Sequence, residues 1–216
     1  MVKINKSELP QGIIIKTEED YRSEKVLLIL QEDFLDKCYI CEEKVPTTIN
    51  VEHFRSCKNH KHLKYDWENL FYACAHCNRI KGSYYDHIVD CTKEDPEKYI
   101  VMKFNSYPES YVEILDRLIG TENEETRELL DKIYNGAGTP ISECEARNLK
   151  KKVSRELKDF MECVENYNNE TDAKLRAVYW RKIKKMLSRE SNFAGFKRSV
   201  VLQSEELMQS FGELMK

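Results

Sequence analysis

The sequence predicts an α+β protein: a small core of short strands and one helix, stapled by a four-cysteine zinc site, followed by a mostly α-helical C-terminal region. Three observations lead there. Six of the eight cysteines (Cys38, Cys41, Cys57, Cys74, Cys77 and Cys91) and all five histidines (His53, His60, His62, His76 and His87) fall between residues 38 and 91. Thr47, Ile49 and Val51 alternate as an extended segment does, and Tyr99–Phe104 reads as another strand. Beyond Pro108 the apolar residues recur every three or four positions. The chain has 216 residues, 41% hydrophobic and 34% charged, enough to bury a core and ordinary for a globular protein. Its net charge of −3 means that any attraction for nucleic acid must come from a local basic face.

The first 36 residues read as a lead-in. Ile13–Ile15 is a short strand candidate, and Val26, Ile29, Leu30 and Phe34 suit one face of a helix within Glu18–Leu35. No apolar run here is long enough for a signal peptide or a membrane span, so the expectation is a cytoplasmic protein that does not contact membranes.

Residues 37–107 carry the chemistry. Cys38-Tyr39-Ile40-Cys41 and Cys74-Ala75-His76-Cys77 are two CxxC knuckles, and together they supply four thiolates for one tetrahedral, closed, structural Zn²⁺. A redox CxxC is the rival for either pair alone, and the second pair argues against it. Cys57, Cys91, Cys144 and Cys163 have no paired spacing and are expected to be buried free thiols. A helix begins near Cys74 and ends near Gly82.

Between and after the knuckles run Val51-Glu52-His53-Phe54-Arg55, Tyr65-Asp66-Trp67-Glu68-Asn69-Leu70 and Cys77-Asn78-Arg79-Ile80-Lys81-Gly82. In this order the segment 38–92 resembles the HNH nuclease family, the ββα-metal fold, in its zinc-stapled branch. The resemblance implies hydrolysis of nucleic-acid phosphodiesters, of DNA in the first place and RNA as the alternative. It makes His53 the general base, for which an imidazole is suited near neutral pH. Glu52 becomes an oxygen ligand for a catalytic Mg²⁺ or Mn²⁺, and Asn69 the residue that holds the loop or the His53 ring. The third family position, often histidine, is Asn78 here, whose amide oxygen can coordinate the same hard cation. Lys81 and Arg55 are the expected phosphate contacts, and His87 is a further candidate. Trp67 and Tyr65 read as packing residues, while Lys58, Lys61 and Lys64 form a basic loop. One tension is built into Glu52-His53. Adjacent residues of a regular strand point to opposite faces, so both reach one centre only if the strand bends or ends there.

Residues 108–216 read as helices. Val112, Leu115, Leu118 and Ile119 define a first one, ended by Gly120, with Thr121 and Glu124 as a capping box for the next. NGAGTP at 135–140 is a break. Leu149, Val153, Leu157, Phe160, Met161 and Val164 define another helix, and Leu175, Val178, Tyr179, Ile183, Met186 and Leu187 one more. Thirteen Lys/Arg against six Asp/Glu between Arg147 and Arg189 make a stripe able to track phosphates. The terminal Leu207, Met208, Phe211, Leu214 and Met215 form an apolar face that suits docking on the body or on a partner, with the Leu207, Phe211 and Leu214 side expected to be loosely held until a partner covers it. The EHFR, YDWENL and CNRIKG wording, with Asp95-Pro96-Glu97, is similar to the PtuB nuclease subunits of Septu-type and retron-associated antiphage systems. That resemblance implies an ABC-type ATPase partner, because this sequence carries no Walker A motif of its own. The alternative is a non-catalytic zinc module that binds nucleic acid or serves as a scaffold.

Overall fold

The computed structural model describes residues 1–117 and 121–215, with the backbone alone at 121 and 122. Thr17 opens a short helix α1 (Glu18–Tyr21) by a capping box with Asp20, and Ser23 caps α2 (Glu24–Asp33) through the Val26 amide. The α2 spacing works as the sequence indicates, since Val26, Leu30 and the following Phe34 are fully buried. Ile13–Ile15 is no strand. Ile15 is buried, but Ile14 faces solvent and the segment pairs with no strand among the described residues.

After the first knuckle, β1 (Ile49–His53) runs antiparallel to β2 (Leu70–Cys74), and α3 (Ala75–Lys81) follows directly. This is the ββα unit. Cys74 is both the last residue of β2 and the N-cap of α3, its Sγ accepting from the Cys77 amide. Gly82 ends the helix at φ +50°, a conformation that favours glycine.

A second hairpin pairs β3 (Ile100–Asn105) with β4 (Tyr111–Asp116). The helix expected on Val112 and Leu115 is therefore corrected to a strand. Val112 and Ile114 alternate inward, and their backbone is satisfied by β3. Leu118, Ile119 and Gly120, together with the side chain of Thr121, lie outside the described residues. Five helices follow: α4 (Thr121–Asn135), α5 (Pro140–Asn169), α6 (Ala173–Leu187), α7 (Ala194–Leu202) and α8 (Glu205–Phe211). The break at 135–140 ends in Thr139, which caps α5 with Pro140 in its first turn.

The 30-residue α5 links two cores. Its Leu149 and Val153 belong to the same core as Phe34, Phe71 and Trp67 of the ββα region, while Phe160 and Val164 belong to that of Ile183, Leu187 and Val201. Phe211 and Met215 join that second core, and Arg198 donates to the Met215 carbonyl at 2.7 Å. The terminal face expected to be loose is thus packed on the body, with Met208 left outside. A buried tie joins the first zinc knuckle to α7. Lys37 pairs with Glu42 at 3.2 Å and donates to the Arg189 and Ser191 carbonyls, and Glu42 accepts from the Gly195 amide. A Cβ on Gly195 would sit 2.3 Å from Glu42 Oε1, so only glycine allows this approach. Among the described residues no helix is long and apolar enough to cross a membrane.

Candidate active site and zinc centre

Cys38, Cys41, Cys74 and Cys77 are buried, and their four sulfurs lie within 4.8 Å of one another. The Cys41 and Cys74 sulfurs are 3.8 Å apart. Zn–S bonds of about 2.3 Å in tetrahedral geometry place sulfurs about 3.8 Å apart, so the cluster fits a structural Zn²⁺ with no open position. His76, between the last two ligands, bridges outward, with Nδ1 2.8 Å from Glu145 and Nε2 donating to the Ile133 carbonyl at 3.0 Å. The staple thereby reaches α4 and α5. Cys91 and Cys163 are buried as expected, whereas Cys57 is half-buried and Cys144 exposed.

β1 stays regular through its last residue, with Glu52 opposite Phe71 and His53 opposite Leu70. Consecutive side chains therefore diverge. The His53 ring lies edge-on to Tyr21, centroids 5.1 Å apart, and its Nε2 is 2.9 Å from the Lys64 carbonyl. A carbonyl only accepts, so Nε2 carries the proton and Nδ1 keeps its lone pair. Burial lowers the His53 pKa, aided by the nearby Lys64, Lys81 and Arg22, although the hydrogen bond to Lys64 opposes the shift. His53 is thus held as a neutral imidazole in the tautomer of a base.

Glu52 takes the other face. It is 5% exposed, and its Oε1 pairs with the Lys81 ammonium at 2.9 Å. Lys81 is itself fully buried, and it also donates to the His53 carbonyl at 3.1 Å. Burial pushes the Glu52 carboxyl up to about 7, with Lys81 pulling the other way. Its Oε2 and the Tyr39 hydroxyl are buried without a hydrogen-bond partner among the described residues. The alternation of β1, which ends at His53, turns Glu52 away from the ring and against Lys81. The Lys81 ammonium, expected at a phosphate, is enclosed here and engaged with Glu52 and the His53 carbonyl.

Residues 38–84 match the family model described as HNH endonuclease. The chain therefore carries an HNH domain, and its ββα unit and four-cysteine cluster lie inside the matched segment. No curated protein matches the chain.

The remaining HNH positions divide similarly. Asn69 is buried. Its Oδ1 accepts from the Arg55 amide at 2.7 Å, while Nδ2 donates to the Arg55 and Leu63 carbonyls at 3.0 and 3.1 Å. It clamps the two ends of the loop that carries Lys64, and so acts on the His53 ring only through that loop. Asn78 is half-buried on α3, and its side chain has no hydrogen-bond partner among the described residues. No hydrogen bond joins it to the His53 ring. Arg55 lies two residues beyond His53, with Nη1 2.8 Å from His87 Nδ1, so these two expected contacts stand together near solvent.

Three neighbours of His53 carry no signal in the sequence. Tyr21 and Arg22 come from the lead-in, more than thirty positions away. Lys64 acts through a backbone carbonyl, which any residue type would provide. Lys64 is also tied by an ion pair of 2.6 Å to Glu18, which fixes α1 beside His53.

Proposed function

We propose that this chain is a metal-dependent HNH endonuclease that hydrolyses phosphodiester bonds of nucleic acid, DNA in the first place. The observation that carries the reading is the His53 imidazole, with Nε2–H against the Lys64 carbonyl, no hydrogen bond to Nδ1 among the described residues, and burial disfavouring the charged ring. Nδ1 takes a proton from water as the water oxygen attacks phosphorus. The bond from phosphorus to the leaving oxygen breaks, and that oxygen is protonated by solvent. The imidazolium so formed is stabilised by the Lys64 carbonyl dipole. Arg55, half-buried beside the exposed His87, offers the guanidinium for the phosphate. A hard divalent ion, Mg²⁺ or Mn²⁺, supplies positive charge to the phosphate when bound. Asn78 is open to hold it together with phosphate and water oxygens, whereas Glu52 in its pair with Lys81 is not.

The test is cleavage of supercoiled plasmid and of structured RNA by zinc-replete protein with Mg²⁺ or Mn²⁺. His53→Ala should lose roughly 10²- to 10⁴-fold in rate while keeping zinc and fold. Equal cleavage by the variant would favour the non-catalytic zinc module. The EHFR, YDWENL and CNRIKG wording supports a finer assignment, the nuclease subunit of an antiphage complex working with an ABC-type ATPase. Co-purification with such an ATPase checks it.

A further inference from the structure

We propose that α6 is a docking surface for B-form duplex DNA, separate from the His53 site. Within Ala173–Leu187 stand Lys174, Arg176, Arg181, Lys182, Lys184 and Lys185, and no acid, in a chain whose net charge is −3. Among the described residues none of the six enters an ion pair. Cations of the next segment do: Arg189 pairs with Asp95, Lys197 with Glu156 and Arg198 with Glu97. The fold uses those charges and leaves the α6 charges for something else.

Their placement selects the partner. Ile183 and Leu187 are fully buried and mark the inward side of the helix. At about 100° per residue, Lys174, Arg181 and Lys185 fall on the opposite side, and Lys182 and Lys184 fall on its two flanks. Arg176 turns back over the Tyr167 ring at 4.6 Å. The Lys182 and Lys184 ammoniums rest 5.6 and 5.8 Å from the Tyr179 and Trp180 centroids, which steadies both flanks.

The outward row spans about 16 Å at ~1.5 Å per residue. A helix in the ~12 Å major groove of B-DNA meets a phosphate wall on each side, and a central row with two cationic flanks matches both walls. The deep, narrow groove of duplex RNA does not admit such a helix. A single strand needs aromatic faces to stack on, and Tyr179 and Trp180 are half-buried. A lipid surface needs a broad free apolar face, and α6 exposes only Leu175 and Val178, with Ile183 and Leu187 in the second core. A cleft of about 720 Å³ adjoins the row, and Arg181, Lys184 and Lys185 of the helix line it opposite Lys3, Glu32, Asp33 and Glu190.

This surface does not depend on the nuclease reading, and the test keeps the two apart. Full-length zinc-replete protein carrying His53→Ala, which prevents cutting, is titrated with a fluorescent 20-base-pair DNA across a KCl series. Adding Lys182→Gln, Lys184→Gln and Lys185→Gln should make the slope of log K against log salt less negative by about 2.7, from ~0.9 per phosphate contact. Affinity at ~150 mM salt should fall roughly a hundredfold on the same relation. Arg181→Glu should weaken binding independently, with zinc content unchanged. A control with Lys16→Gln, Lys25→Gln and Lys98→Gln, exposed cations elsewhere that lose the same charge, should stay within twofold. Equal loss in the control, unchanged binding by the α6 variants, or duplex RNA bound as tightly as DNA would overturn the proposal. So would loss of an acidic protein partner while DNA binding persists.

Discussion

Replacing Lys81 by methionine tests whether this residue serves the fold or the substrate. Its ammonium is fully buried, 2.9 Å from Glu52 Oε1 and 3.1 Å from the His53 carbonyl. Lys81→Met keeps the chain's bulk, removes the charge and leaves the Glu52 carboxyl in the interior with neither oxygen paired, so that it must take up a proton or stay charged without a partner. Breaking one side of a buried pair costs roughly 3–5 kcal/mol. That is a large share of the ~5–15 kcal/mol that holds a domain together. For a chain of this size it corresponds to a fall in Tm of roughly 10 °C.

Removing both charges should cost far less, because Glu52→Leu with Lys81→Met replaces the pair by apolar groups and eliminates the unpartnered Oε2. Urea unfolding of zinc-replete protein, followed by circular dichroism, gives both numbers. The single variant should lower the midpoint with an unchanged m value, and the double should recover most of it. Full stability in Lys81→Met together with weakened binding of nucleic acid would refute this reasoning and return Lys81 to the phosphate.

Cys74→Ser should reduce bound zinc and folded yield together, since Cys74 belongs to the four-sulfur cluster and also caps α3; elemental analysis of purified protein checks it. If His53 must be neutral to act, kcat/KM should rise with pH through a midpoint below the ordinary 6.5 and be level above it, because burial, Lys64 and Arg22 disfavour the imidazolium. Stability should fall over the same range as pH drops below 6.5, since there the unfolded chain binds the proton more readily than the folded one; a midpoint above 7 contradicts the placement of the ring. Asn69→Asp should destabilise the domain and slow cleavage, because a carboxylate cannot donate to the Arg55 and Leu63 carbonyls; the paired measurements are urea unfolding and plasmid cleavage.

The zinc centre is legible in the sequence because metal ligation demands particular residue types at short fixed spacing, and two CxxC pairs leave few other readings. Gly82 and the Thr139-Pro140 start of α5 are legible for a similar reason, as local backbone geometry selects those residues. Periodicity misleads at Tyr111–Asp116 because Val112 and Leu115 fit a helical period, while the strand assignment depends on β3, a partner that periodicity cannot reveal. At the terminal face periodicity leaves body and partner open, and the cover is α5, α6 and α7 of the same chain.

Glu52-His53 is the instructive case. Residue types alone place an acid and an imidazole at one centre, yet the alternation of a strand separates them, and which demand prevails is a matter of tertiary structure. Here β1 pairs regularly to its end at His53, so one face locks α3 through Glu52 and Lys81 while the other presents the imidazole. The lock and the imidazole meet at the His53 carbonyl, which accepts from Lys81. The buried charge pair thereby fixes the backbone from which the imidazole projects. Any change at Lys81 should consequently reach the reaction through the position of His53.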